Sequence, residues 1–117
     1  MPWIGVDLDG TLAHWEHVEN YDPTIIGAPI APMVLRVKKL IADGYEVRIF
    51  TARVSDDGVR NISLVREAIQ TWCQIHIGKR LPVTNIKDYG LIQLWDDRAV
   101  GVVANTGEPC CSMQCKT

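Results

Sequence analysis

Short apolar runs alternate with helix-period stretches along this chain, and each run stops at a residue able to do chemistry. Trp3 to Val6 stops at Asp7, Tyr45 to Phe50 at Thr51, and Leu91 to Trp95 at Asp96-Asp97. Pro82-Val83-Thr84 is a further short strand, followed by Lys87. Such alternation predicts βα units. They build a parallel sheet covered on both faces, a doubly wound, Rossmann-like α/β sandwich with helices on each side. Ligands in these sheets sit beyond the carboxyl ends of the strands. Asp7, Asp9, Thr51, Lys87, Asp96 and Asp97 all fall at those ends.

Between the strands the apolar period is helical. Met33, Val34, Val37, Leu40 and Ile41 share one face of a helix expected over 32–43, with Pro32 at its start and Gly44 at its stop. Ile62, Val65, Ile69, Trp72 and Cys73 do the same from about Asn61 to His76, closed by Gly78. Residues 12–30 carry Pro23, Gly27 and Pro29, have no period, and read as an extended loop; Arg53 to Gly58 is a second, polar loop. Val100 to Val103 is a last strand candidate. With 117 residues the chain suffices for one core, here assigned to residues 1–105. Residues 106–117 are expected to form a flexible tail. It holds Cys110, Cys111 and Cys115, whose spacing is not that of a zinc knuckle.

Asp7-Leu8-Asp9-Gly10-Thr11 sets two carboxylates one residue apart, and in extended geometry positions i and i+2 point the same way. Taken alone, Asp9-Gly10 is equally a chain-reversing turn. Asp96-Asp97 would join the pair at the same sheet edge. One like-charged pair about 4 Å apart costs about 4 kcal/mol at an effective dielectric of about 20. A hard divalent cation with oxygen ligands offsets this, and magnesium suits a site that shares ligands with a phosphate. The competing reading pairs Asp97 with Arg98 at the surface and needs no metal. Thr51, with the backbone of Ala52 and Arg53, offers hydrogen bonds to phosphate oxygens. Lys87 offers a point charge.

In that order the motifs resemble the haloacid dehalogenase-like superfamily: DxDGT at Asp7 to Thr11, a strand-ending Thr51, Lys87, and the acidic pair Asp96-Asp97. The match spans about residues 3–103. VTNIKDYG and LWDDRAV are similar to small phage and bacterial members. The resemblance implies a magnesium-dependent phosphatase. Asp7 would attack phosphorus to give an aspartyl-phosphate, with Asp9 as acid and then base. Thr51 and Lys87 would bind and neutralise the phosphoryl group, and Gly10, Thr11, Ala52 and Arg53 would line the substrate site. Magnesium would be held by Asp7, the Asp9 carbonyl and Asp96, with Asp97 assisting. Too little chain separates the motifs for a cap domain, so an open cleft is expected. It would be closed by a large phosphorylated substrate or by a second subunit of a homo-oligomer.

Two alternatives stay open on sequence: a receiver-like phospho-acceptor domain, against which motif order argues, and a non-catalytic binding protein on the same fold. A net charge of −2 gives no footprint for nucleic acid. No apolar run approaches the roughly 20 residues of a membrane span, and the N-terminus lacks the features of a signal peptide, so a cytoplasmic protein is expected. His14 and His17 read as solvated loop residues, and His76 as a helix end.

Overall fold

The computed structural model describes residues 2–110. Its central strand is β1 (Trp3–Asp7), with β2 (Val47–Phe50) and then β3 (Val83–Thr84) on one side and β4 (Leu91–Trp95) on the other. The order is β3-β2-β1-β4, and every pairing is parallel. Trp3 to Val6 are all buried, as a strand paired on both sides requires.

Two helices cover the sheet: α1 (Ala31–Ala42) and α2 (Ile62–His76). Their buried positions are Met33, Val34 and Val37 on α1, and Val65, Ile69, Trp72 and Cys73 on α2, the stripes expected from the period. Asn61 caps α2, its side chain accepting from the Leu64 N–H at 3.2 Å. Burial pushes the Cys73 thiol up to about 11, so it behaves as a small core hydrophobe.

The expectation of helices on both faces is not met. Register aligns Ile4 with Val47, Val6 with Ile49, and Ile49 with Val83. These residues share one core with the buried stripes of both helices, so α1 and α2 lie on the same face. Trp3 covers the other face, packing over Gly5 together with Leu91 and Leu94. The Arg48 guanidinium lies 4.6 Å from the Trp3 ring. The connection from β3 to β4 crosses this face without forming a helix, and Asp88 in it accepts from the Trp3 indole N–H at 2.8 Å. Its six residues, 85–90, are too few for a helical crossover.

Two strand expectations also change. β2 begins at Val47 rather than Tyr45, because the Tyr45 N–H bonds to the Leu40 carbonyl and finishes the turn after α1. Val100 to Val103 adds no strand to the sheet. Instead Val102 bridges Pro109, and Cys110 N–H bonds to the Gly101 carbonyl, in a small exposed hairpin. The domain boundary expected at 105/106 therefore falls inside this turn. Residues 111–117 of the tail, with Cys111 and Cys115, lie outside the described residues. No described helix is long and apolar enough to cross a membrane.

Candidate phosphate and metal site

Strand order reverses between β1 and β4, and this is the crevice where an open α/β sheet offers a ligand site. β1 delivers Asp7 to it, and β4 delivers Asp96 and Asp97. One oxygen from each of the three carboxylates lies within 4.8 Å of the others. The cleft has a volume of about 330 Å³. Its walls take in Asp9, Thr51, Ala52 and Arg53, all expected from sequence, and Trp15, Tyr21, Arg60 and Arg98, which were not.

A tight turn after β1 locks the acidic cluster. Leu12 and Ala13 N–H groups both bond to the Leu8 carbonyl, and Leu8, Leu12 and Ala13 are buried. Gly10 has φ +87°, and a Cβ there would stand 2.5 Å from Asp97 Oδ2. Only glycine permits both the backbone angle and the approach of Asp97. Thr11 ties the two strand ends together. Its hydroxyl lies 3.2 Å from Asp7 Oδ2 and 3.4 Å from Asp97 Oδ1, and it accepts from the Asp97 N–H at 3.0 Å. Thr11 therefore organises the acidic cluster rather than lining the cleft.

The Asp7 carboxyl is pushed up to about 7. Burial is the largest cause, followed by the Asp96 charge, a hydrogen bond with Asp97 and the Asp97 charge, while the Thr11 hydroxyl pulls the other way. A carboxylate so crowded by its own kind lacks a positive partner. Three hard oxygen donors at this spacing fit a hard divalent cation. The rival pairing of Asp97 with Arg98 does not form among the described ion pairs: the Arg98 contact made is its backbone N–H, donating to Asp96 Oδ1 at 2.8 Å.

Thr51 directly follows β2 and is 3% exposed; its hydroxyl oxygen accepts from the Arg53 N–H at 3.1 Å, opening a single 3-10 turn over Ala52–Val54. Arg53 is buried at 4% exposure. Its guanidinium grips Asp9 through two bonds of 2.8 Å and reaches the carbonyls of Pro23 and Ile25 at 2.9 and 2.8 Å. Arg53 thus lines the cleft, as expected, with its guanidinium committed to internal partners. Lys87 is exposed and is not among the residues that wall the cleft. Arg60 holds the polar loop, bonding to the Arg53 carbonyl at 2.8 Å and to Asp57 at 3.2 Å.

The segment 14–29 is anchored at both ends. His14 N–H bonds to Ala28 O, Ala13 bridges Pro29, and the Trp72 indole donates to the Gly27 carbonyl. A Cβ on Gly27 would collide with the His14 carbonyl oxygen. Trp15 and Tyr21 meet edge to face with centroids 5.5 Å apart, and both rings flank the Arg53 guanidinium. Aperiodic sequence hides such walls. The one signal was the pair of aromatics, Trp15 and Tyr21, among the mostly polar residues 14–22. His14 faces Glu16 at the surface, and His76 ends α2 against Trp72.

No family model matches the chain, and no curated protein matches it. A solved structure of a conserved protein from Bacteroides thetaiotaomicron is similar, with a TM-score of 0.53 at 24% identity. The match covers 87% of this chain and 80% of that one, and it supports the fold alone.

Proposed function

We propose that this chain is a haloacid dehalogenase-like phosphatase that hydrolyses a phosphate monoester through an aspartyl-phosphate on Asp7. One observation carries the reading: Asp7, Asp96 and Asp97 converge at the strand-order reversal, in a cleft that also holds Asp9 and Thr51. Asp7, Asp96 and Asp97 would hold magnesium, which supplies positive charge against the phosphoryl oxygens and keeps Asp7 ionised. Asp7 is the nucleophile: its carboxylate oxygen bonds to phosphorus as the ester oxygen departs. Asp9 hands a proton to that oxygen, then takes one from the water that cleaves the acyl phosphate. The Thr51 hydroxyl and the amides of the 3-10 turn bind phosphoryl oxygens. Arg60 and Arg98, which line the cleft, supply the cationic surface in place of Lys87.

Strand order also bears on the receiver-like alternative. Flavodoxin-like sheets run 2-1-3-4-5, whereas here β3 lies beyond β2 and β4 lies beside β1. The deciding experiment is turnover of a panel of phosphate esters with magnesium, after chelation, and with Asp7→Asn. Turnover lost with the metal and with Asp7 is expected. A rate equal to that of Asp7→Asn on every ester overturns the reading.

A further inference from the structure

Arg53 is a buried cation that the proposed chemistry leaves without a task. Four of its N–H donors are committed: Nε and Nη2 to the two oxygens of Asp9, and Nη1 to the carbonyls of Pro23 and Ile25. An arginine has five, so little remains for a phosphate. The planar fork fixes the orientation of the Asp9 carboxylate, which a single-point cation cannot do. The same guanidinium holds the 14–29 segment from below, and Trp15 and Tyr21 pack on it at 5.8 and 5.1 Å. Backbone geometry sets the donor in place: Thr51 caps the 3-10 turn that presents Arg53.

We propose that Arg53 is a positioning residue that makes the cleft wall and the acid/base carboxylate one mechanical unit. The proposal rests on the phosphatase reading for the role of Asp9, though not for the coupling itself. Movement of Pro23–Ile25 shifts the guanidinium and therefore Asp9. Any change at Asp9 is felt in turn by the wall. Asp9 accepts both donors in this arrangement, so one oxygen must leave the fork before it can carry a proton to a leaving group. A substrate that presses on the wall would trigger that release.

Two readouts test it. The first is turnover of an alkyl phosphate against p-nitrophenyl phosphate, for Arg53→Lys, Asp9→Asn and the double variant. Lysine keeps the charge and loses the fork. If Arg53 acts through Asp9, Arg53→Lys loses about 10²-fold in kcat on the alkyl ester and much less on the activated ester. In the Asp9→Asn background it adds little further. A loss equal on both esters, or a KM increase that persists with Asp9→Asn, overturns the proposal in favour of a structural or a phosphate-binding arginine. The second readout is amide hydrogen exchange, which needs no activity. Asp9→Asn, nearly isosteric with the parent, and Arg53→Lys should both cost protection across peptides spanning Pro23 to Ile25. Unchanged exchange there in folded Asp9→Asn protein overturns the coupling, whatever the kinetics. Wild-type protein inert toward every ester would instead sink the phosphatase reading, leaving exchange to decide the coupling.

Discussion

Removing the Asp7 charge should make the metal-free protein more stable, and by an amount that depends on pH. Asp7 titrates near 7 in the folded chain against 3.8 for an unperturbed carboxyl. Below about pH 4 the group is protonated in both states and costs nothing. Between about 4 and 7 the unfolded chain sheds its proton while the folded chain keeps it, so stability falls as pH rises. Above 7 the loss is complete. Three pK units correspond to about 4 kcal/mol as an upper bound; Asp7 meets water at the cleft, and screening there brings this to about 2 kcal/mol. Asp7→Asn removes the titration while preserving the contacts. Its carbonyl accepts from Thr11, and its amide can donate to Asp97 as a protonated Asp7 does. Urea unfolding in chelator should therefore give Asp7→Asn an advantage of about 2 kcal/mol at about pH 8, shrinking to near zero at about pH 4. Saturating magnesium should stabilise the parent and not the variant, closing the gap. An advantage equal at both pH values, or a variant weaker than the parent at about pH 8, would refute the electrostatic account of the cluster.

Asp9→Asn should cost about 10²–10⁴-fold in turnover of alkyl phosphates and far less for esters with good leaving groups; equal losses on both would remove Asp9 from the acid role. Chelation should abolish turnover and magnesium restore it, with Asp96→Ala raising the magnesium requirement more than Asp97→Ala, measured by metal titration of the rate. Arg53→Ala leaves Asp9 without its buried partner and should destabilise the fold by about 3–5 kcal/mol, read from chemical denaturation; a change below about 1 kcal/mol would mean that the pair is not held as the geometry indicates. Ending the chain after Gly107 removes the exposed strand of the 101–110 hairpin, and the unfolding midpoint should move little, since none of the described residues of that hairpin joins the core.

Element by element, the sequence was legible where a side-chain period and a single packing surface coincided. The stripe Val65, Ile69, Trp72, Cys73 reads directly as the buried face of α2, because a helix packed on one surface repeats every three or four residues. β1 was equally plain, as a run buried on both faces. The placement of helices was not, since a helix of given amphipathicity fits either face of a sheet. Two right-handed crossovers stepping in one direction, from β1 to β2 to β3, put both helices on one face, and the short β3–β4 connection leaves the other without one. Val100 to Val103 failed for a related reason: a β-branched run declares a strand preference without naming a partner, and here the partner is the chain's own next turn. The acidic cluster was readable because each acidic residue ends or directly follows an apolar strand run, and the first and last strands lie side by side. Arg53 was placed in the cleft, but its bond to Asp9 was not foreseen, because no local pattern reveals a pairing across 44 residues of chain.

The arrangement also bears on where selectivity must lie. On the proposed reading, Asp7, Thr51, Asp96 and Asp97 would face the phosphoryl group and the cation, which are common to any phosphate ester. Among the described residues, the remaining cleft walls belong to the 14–29 segment, the turn at Ala52 and Arg53, Arg60 or Arg98. The segment is not a separate cap: it holds no helix or strand, and its anchors are Pro29, Trp72 and Arg53. Trp15 and Tyr21, each 37% exposed, are the largest apolar surfaces it offers to the cleft. Aromatic walls backed by a buried cation favour planar or extended apolar groups over heavily hydroxylated ones. Trp15→Ala should accordingly raise KM for aryl phosphates more than for a hexose phosphate, with kcat for the latter nearly unchanged. Equal KM changes for the two substrates would move selectivity away from the segment and onto the arginines.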